Sequence, residues 1–390
     1  MKILINSESL RPPLTGIGNY TLHLLQALQQ QPEVTQIDCF NGRQIHSLST
    51  LLQQHAGENT SRGQGRAWQQ QLRESIRTLP FAYQLRSAWL DYQFEQQAKQ
   101  GQYTIYHEPN FILKKYSGPS VTTVHDLSFI HYPQYHPAER VSWLSKELPK
   151  TLARADAVIT DSDFIRDELL GRYNLDEQKV TRVHLGVDSR FKPYTPSQTA
   201  AFLNSQGLQH GEYILFVGTL EPRKGITVLL DAWQQQPQYL RSNFTLVLAG
   251  APGWCNDALM KRIALMQSQG NLRLLKFVDA SNLPLLYAGA ALFAYPSVYE
   301  GFGLPVLEAM ASGVKVICAR RSAMAEFALE GACLNDPSSC DELANVLQRE
   351  LEMRIAYPSA GNLTTKHAQS FTWQACAKET LAVYKSCNMR

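Results

Sequence analysis

Short apolar runs rich in β-branched residues alternate with segments whose apolar positions recur every three to four residues, and this alternation continues through both halves of the chain. A run that is apolar at nearly every position marks a strand buried on both faces, as in a parallel sheet covered by crossover helices. In the first half the pattern predicts strands at 2–6, 37–40, 103–107, 121–124, 157–160 and 180–184. It then restarts, with strands at 213–217, 244–249, 272–277, 291–295, 314–318 and a short one near 332–334. Between the two sets, Gly186-Val187-Asp188 and the stretch 191–196, with Pro193 and Pro196, show no period and read as a linker. The expected fold is therefore α/β, with two Rossmann-like doubly wound domains facing each other across a cleft. The first spans residues 1–192, the second 193–370, and an amphipathic helix occupies 371–390. Such sheets bind ligands outside the carboxyl ends of their strands, so the chemistry is sought in the loops that follow them.

A length of 390 residues exceeds what one hydrophobic core usually serves, in agreement with two domains. The composition, 44% hydrophobic and 18% charged, is that of a folded chain. Its seven cysteines are widely spaced and form no C-x-x-C pair, which argues against a disulfide framework or a zinc site and fits a reducing cytoplasm. A net charge of +3 is too weak to suggest a nucleic-acid partner. The apolar run at the start is shorter than a signal-peptide core, and no stretch nears the roughly 20 apolar residues of a membrane span. Any membrane contact is expected to be peripheral. One segment suits it: from 61 to 90 the chain carries Arg62, Arg66, Arg73, Arg77 and Arg86 against the single acid Glu74, with Trp68, Phe81, Tyr83 and Trp89 interleaved. Such a segment can lie on an anionic membrane or hold a phospholipid-linked acceptor, or be an ordinary amphipathic helix with a basic outer face.

Three loops carry candidate chemistry. After the first strand comes Thr15-Gly16-Ile17-Gly18-Asn19-Tyr20, ahead of a helical run at 21–28. Gly16 and Gly18 lack Cβ atoms and would let the backbone approach a phosphate or sugar, although a tight strand-to-helix turn explains the same glycines. The second set opens with a strand ending at Gly218, after which Arg223 and Lys224 stand just before a helix start. Like charge there costs a few tenths to about 1 kcal/mol per cation, and a bound diphosphate would relieve it, with Arg223 as a fork and Lys224 as a point charge. The third stretch runs from Pro296 to Ala311 and contains Glu300-Gly301-Phe302-Gly303-Leu304 and Glu308. Glu300 on the loop is suited to accept from sugar hydroxyls, and the backbone N–H groups of 301–304 to meet phosphate or sugar oxygens. Glu308 inside the helix suits a ribose diol or, alternatively, a salt bridge on its own helix. His125-Asp126, after the strand at 121–124, could contact the sugar or be satisfied by backbone. Lys146, Lys150 and Arg154 recur at helical spacing as a solvated face.

Taken together these motifs resemble the retaining glycosyltransferases of family four with the GT-B fold. The likeness is collinear from Gly16-Ile17-Gly18 through His125-Asp126, 162–166, 186–188, 218–224 and the Glu-x7-Glu stretch from Glu300 to Glu308, to Phe371-Thr372-Trp373. It implies that Arg223 and Lys224 hold the donor diphosphate, Glu308 the ribose, Glu300 the donor sugar and the backbone near Val278 the base. Gly16 would touch the donor when the domains close, His125 the sugar, and the final helix would cross back to the first domain. On this likeness His125, Glu300, Arg223 and Lys224 are the catalytic set, and Gly18, Gly218, Gly301, Phe302, Gly303 and Leu304 complete the donor contacts. No metal and no cofactor are expected beyond a nucleotide-sugar donor, read as GDP-linked. The resemblance to bacterial mannosyl- or rhamnosyl-type transferases implies a glycan or lipid-linked glycan acceptor, retention of configuration and a cytoplasmic place at the inner face of the membrane. A UDP-sugar donor and a silent nucleotide-sugar-binding subunit are the alternatives. Thr219, where many relatives carry Arg, and Lys315, in place of a frequent Pro, depart from the pattern.

Overall fold

A computed structural model of the chain describes residues 1–11, 14, 16–58, 80–251, 253, 257–270, 272–276, 278–357 and 364–387; the side chains of 54–58, 80–90 and 332 are not described. The basic aromatic segment at 61–90 thus lies outside the described residues, except for the backbone of a helix at Pro80–Gly101.

The strands, numbered in chain order, form two sheets. The first contains β1 (Lys2–Asn6), β2 (Gln36–Phe40), β3 (Ile45–Ser47), β4 (Ile105–Glu108), β5 (Ser120–Val124), β6 (Ala157–Thr160) and β7 (Val180–Arg182). Their spatial order is β3-β2-β1-β4-β5-β6-β7, and all pairs are parallel except β2 with β3. The second contains β8 (Tyr213–Val217), β9 (Thr245–Ala249), β10 (Leu272–Leu275), β11 (Leu292–Tyr295), β12 (Val316–Ala319) and β13 (Ala332–Leu334), in the order β10-β9-β8-β11-β12-β13, all parallel. Both sheets reverse their winding between the first strand and its later neighbour, β1 with β4 and β8 with β11. The loops after those four strands flank the crevice where a doubly wound sheet takes its ligand.

The sheets form because their strands are apolar on both faces, and helices cover them with matched stripes. In the helix Gly16–Gln29, Tyr20, Leu24, Leu25 and Leu28 are buried, each worth about 1.5–3 kcal/mol relative to exposure. That helix starts at Gly16 rather than at 21, so the two glycines occupy its first turn instead of a preceding loop. A Cβ on Gly18 would sit 2.7 Å from the Ser9 carbonyl, whereas one on Gly16 would meet nothing within 4 Å. Gly18 is thus required by packing, while Gly16 borders open space.

The helix Trp373–Cys387 lies against Gly16–Gln29 of the first unit. Tyr384 Oη is 2.7 Å from His107 Nδ1, and Trp373 stacks on His23 at 5.0 Å with a 15° interplanar angle. The chain therefore passes between the units twice. The two passages touch: Val187 N donates to Phe371 O at 2.9 Å, and a Cβ on Gly186 would fall 2.2 Å from Trp373 N.

Candidate active site

The loop after β8 forms a single turn, Pro222–Lys224, closed by Gly225 at φ +70°. A left-handed backbone with a Cβ position 2.1 Å from the Pro296 carbonyl leaves room for no other residue, and this close approach presses the β8 loop onto the β11 loop. Arg223 and Lys224 consequently converge on Glu300. Lys224 Nζ lies 2.6 Å and Arg223 Nη1 3.4 Å from Glu300 Oε1, which also accepts from Ser297 Oγ at 2.5 Å. Arg223 donates in addition to the Tyr299 carbonyl and to Glu221 Oε1 at 2.8 Å. Arg223 and Glu300 are each 8% exposed. Burial opposes ionisation of Glu300, but Lys224 and Arg223 prevail and hold its carboxyl below the usual range. Burial, aided by the neighbouring guanidinium, draws Lys224 down. For Arg223 burial is outweighed by Glu300, Asp126 and Glu221, which raise it. The anion that relieves the paired cations in this state is therefore the protein's own carboxylate. A donor phosphate would join or replace it in a site largely removed from water, where charge interactions are strong.

The first unit closes over this cluster. Asp126, whose carboxyl is held low by Arg223 and by Ser128 against the effect of burial, faces the guanidinium. His125 is engaged at both ring nitrogens, Nδ1 with Asp161 Oδ2 and Nε2 with the Pro109 carbonyl, each at 2.7 Å. Burial works against a charged ring, but Asp161 and the Pro109 carbonyl together raise the His125 pKa, while burial raises the Asp161 carboxyl as well, so the pair shares a proton between the ring and the carboxylate. In this state His125 offers its carbonyl rather than its ring to the second unit: a Cβ on Gly301 would stand 1.8 Å from His125 O. Beside that contact, Ser162 Oγ donates to the Gly301 carbonyl at 2.7 Å and Leu127 N donates to Tyr299 Oη at 3.1 Å. Glu326 of the second unit caps the helix Asp163–Tyr173 by accepting from Asp163 N and Phe164 N, and it meets His184 Nε2 at 2.9 Å. Asp163, His184 and Glu326 bring their ligand atoms within 4.8 Å of one another, but Glu326 is already committed to the helix cap and to His184.

Glu308 sits elsewhere in the cleft, on the helix Leu304–Ala311 that begins at Gly303 with φ +104°. Its neighbours are Tyr287, Asp188 and Arg190, and burial pushes its carboxyl up to about 7. Arg190 pairs with Asp188 at 2.9 Å and reaches the Ala280 carbonyl at 3.1 Å, two residues past Val278. Phe302 is buried beside His184, Phe327 and Phe371, so only its backbone is available to a ligand. Gly218 immediately follows β8, and Gly250 packs so closely on it that a Cβ there would be 1.9 Å from Gly218 O.

Residues 201–367 match the family described as glycosyl transferases group 1, and residues 14–191 match Glycosyltransferase Family 4. Over 99% of this chain and 100% of the relative, the sequence is 32% identical to O-antigen chain mannosyltransferase B of Escherichia coli. The chain belongs to these glycosyltransferases. Solved structures agree on the fold, which is GT-B: the Anabaena protein HepE in complex with UDP and glucose superposes with a TM-score of 0.69 at 20% identity, covering 99% of this chain and 100% of that one. Sucrose-phosphate synthase from Thermosynechococcus elongatus gives a TM-score of 0.71 at 21% identity, with 99% of each chain covered.

Within this glycosyltransferase the structure gathers Arg223, Lys224 and Glu300 at one point, sets His125 and Gly301 in contact across the cleft, and places Glu308 in a second neighbourhood with Asp188 and Arg190. Sequence reasoning did not single out Glu221, Ser297 and Tyr299, which lie inside the motif stretches, or Asp161, the partner of His125. Asp161 follows the end of β6, a position that could have drawn attention by the same rule that selected His125.

Proposed function

We propose that this glycosyltransferase moves mannose or a related deoxyhexose from a GDP-sugar to a hydroxyl of a glycan or lipid-linked glycan acceptor during surface-polysaccharide assembly, with retention of configuration and without a metal. The observation that carries the proposal is the buried Arg223–Lys224–Glu300 cluster next to the start of the helix Leu304–Ala311, in a chain alignable end to end with an O-antigen mannosyltransferase. As the nucleoside diphosphate leaves, negative charge grows on its β-phosphate; two fixed cations and helix-start amides stabilise that charge without reorganising. Glu300, released from Lys224 by the phosphate, would accept from donor-sugar hydroxyls, and Glu308 from the ribose. The donor's own phosphate oxygen would take the acceptor proton on the same face. Closure of the His125 loop on Gly301 would exclude water and limit hydrolysis.

Any membrane contact would be peripheral, at the inner face; among the described residues no helix is long and apolar enough to cross a membrane. The test is a titration of melting temperature against GDP, UDP, ADP and TDP, followed by turnover with the matching sugars and determination of the product anomer. A ligand at 100 times its Kd stabilises by about 2.7 kcal/mol. GDP alone should give that shift, and the product should keep the donor's anomeric configuration. Turnover with UDP-sugars only, or an inverted product, would overturn the corresponding part.

A further inference from the structure

One side chain ties the linker between the units to an outer loop of the second sheet. Arg190 donates twice to Asp188 Oδ2, from Nε at 3.0 Å and from Nη2 at 2.9 Å, and from Nη1 to the Ala280 carbonyl at 3.1 Å. The backbone around it is fixed as well. Asp188 Oδ1 accepts from Arg190 N at 2.9 Å, and Tyr194 Oη donates to the Arg190 carbonyl at 3.1 Å. Asp188 itself follows Val187, whose N–H is bonded to Phe371 of the second passage. A planar fork anchored in this way has little rotamer freedom, so its remaining corner is aimed at Ala280.

The loop that receives it has little other support. It follows β10, the edge strand of its sheet, and so has a neighbouring strand on one side only. Asn282 N and Leu283 N both donate to the Asp279 carbonyl, at 2.9 and 3.0 Å, which leaves the carbonyl of the exposed Ala280 to Arg190. This loop lies at the carboxyl end of its strand, the side on which such sheets take ligands.

Arg190 also stands beside Glu308. Burial does most to raise the Glu308 carboxyl, Asp188 adds to the rise and Arg190 opposes it, so the guanidinium lies within electrostatic reach of both carboxylates. Three of its five N–H groups are used, and its side chain is 49% exposed. The same fork therefore grips the β10 loop and faces the carboxylate that the donor reading gives to the ribose.

We propose that Asp188 and Arg190 are positioning residues for the donor: the linker's fork holds the loop at 278–280 where the nucleoside end of the donor rests, so nucleotide affinity depends on a side chain that belongs to neither sheet. The inference rests on the donor reading above, and the experiment separates the two. The full chain is compared as wild type, Arg190→Lys, Arg190→Ala and Asp188→Asn by backbone amide exchange without ligand, by calorimetry with GDP, and by donor kinetics. Arg190 is half-exposed, so its truncation empties no core. Exchange at Asn282 and Leu283 should quicken about tenfold in all three variants, while β8 and β11 keep their wild-type rates. Lysine keeps the charge but offers no fork, so it should behave as alanine does. The Kd of GDP and the donor KM should rise together, by about tenfold, with kcat within about threefold, because Arg223, Lys224 and Glu300 do not depend on this loop. Unaltered exchange in the variants, quickened exchange with unchanged GDP affinity, or faster exchange spread over the whole second sheet would each overturn the proposal. So would wild-type GDP affinity in Arg190→Lys, which would reduce the pair to a charge beside Glu308. Absence of GDP binding in wild type would instead strike the donor reading, and the exchange rates would still decide whether the fork holds the loop.

Discussion

Replacing Gly301 with Ala tests whether catalysis depends on the closed contact between the two units. Gly301 has no positive φ, so alanine strains nothing locally, and it keeps the backbone N–H that a donor oxygen would use. The added methyl, however, would stand 1.8 Å from His125 O, 2.8 Å from the His125 carbonyl carbon and 3.1 Å from Asp126 Cβ. Carbon and oxygen in close contact are normally about 3.3 Å apart. The loops must therefore part by about 1.5 Å, and the 2.7 Å bond from Ser162 Oγ to the Gly301 carbonyl lengthens with them. A misplacement of about 1 Å at a reacting centre can cost 10²-fold in rate, equivalent to about 2.7 kcal/mol of barrier. Gly301→Ala should thus lower kcat by about 10²-fold while leaving the Kd for the nucleoside diphosphate within about threefold, because Arg223, Lys224 and Glu308 belong to the unit that keeps its shape. Steady-state kinetics and calorimetric titration of the same preparation give both numbers. A kcat within threefold of wild type would refute the reasoning, since it would mean that this contact is not part of the reactive state.

On the proposed reading, Lys224→Ala would remove one charged hydrogen bond to the donor phosphate, worth about 1.5–3 kcal/mol, so the donor Kd should rise roughly 10- to 150-fold in calorimetry; an unchanged Kd would remove Lys224 from the site. Glu308→Gln tests the carboxyl raised to about 7 from an ordinary 4.5. Such a group binds its proton more tightly when folded, so its favourable contribution is complete below about 4.5 and is lost as pH rises through about 7. The amide should therefore gain up to about 3 kcal/mol over wild type at pH 8 and nothing at pH 4.5, read from denaturant melts, while its affinity for the nucleotide falls. Gly225→Ala places a methyl 2.1 Å from the Pro296 carbonyl at φ +70° and should cost at least about 1–2 kcal/mol of stability, together with loss of nucleotide binding, in a thermal melt with and without ligand.

The strands were legible because a segment buried on both faces must be apolar at every position, and Ile3, Leu4 and Ile5, or Ile214, Leu215 and Phe216, satisfy that without ambiguity. The edge strand β3 (Ile45–Ser47) escaped notice: it is three residues long, half-buried and partly polar, so no period can develop. The start of the first helix was misplaced because glycines are poor helix formers in isolation, whereas here the Ser9 carbonyl leaves no space for a side chain at Gly18. For the site, the sequence showed which loops carry cations and carboxylates, because each follows a strand end. It did not show that Glu300 neutralises Arg223 and Lys224, a pairing across more than seventy positions, or that Asp161 and Pro109 occupy both nitrogens of His125. Those pairings arise only when the sheets fix how the loops meet.

The contact between the two passages of chain at Val187 and Phe371 restricts how the molecule can move. A single tether would let one half swivel, slide or tilt at random relative to the other. Two cords lying side by side permit mainly a swing about their common line, as covers turn about a spine. Each swing then brings the same faces back into register, so the lost freedom of aligning donor and acceptor was surrendered when the chain folded and is not surrendered again at every turnover.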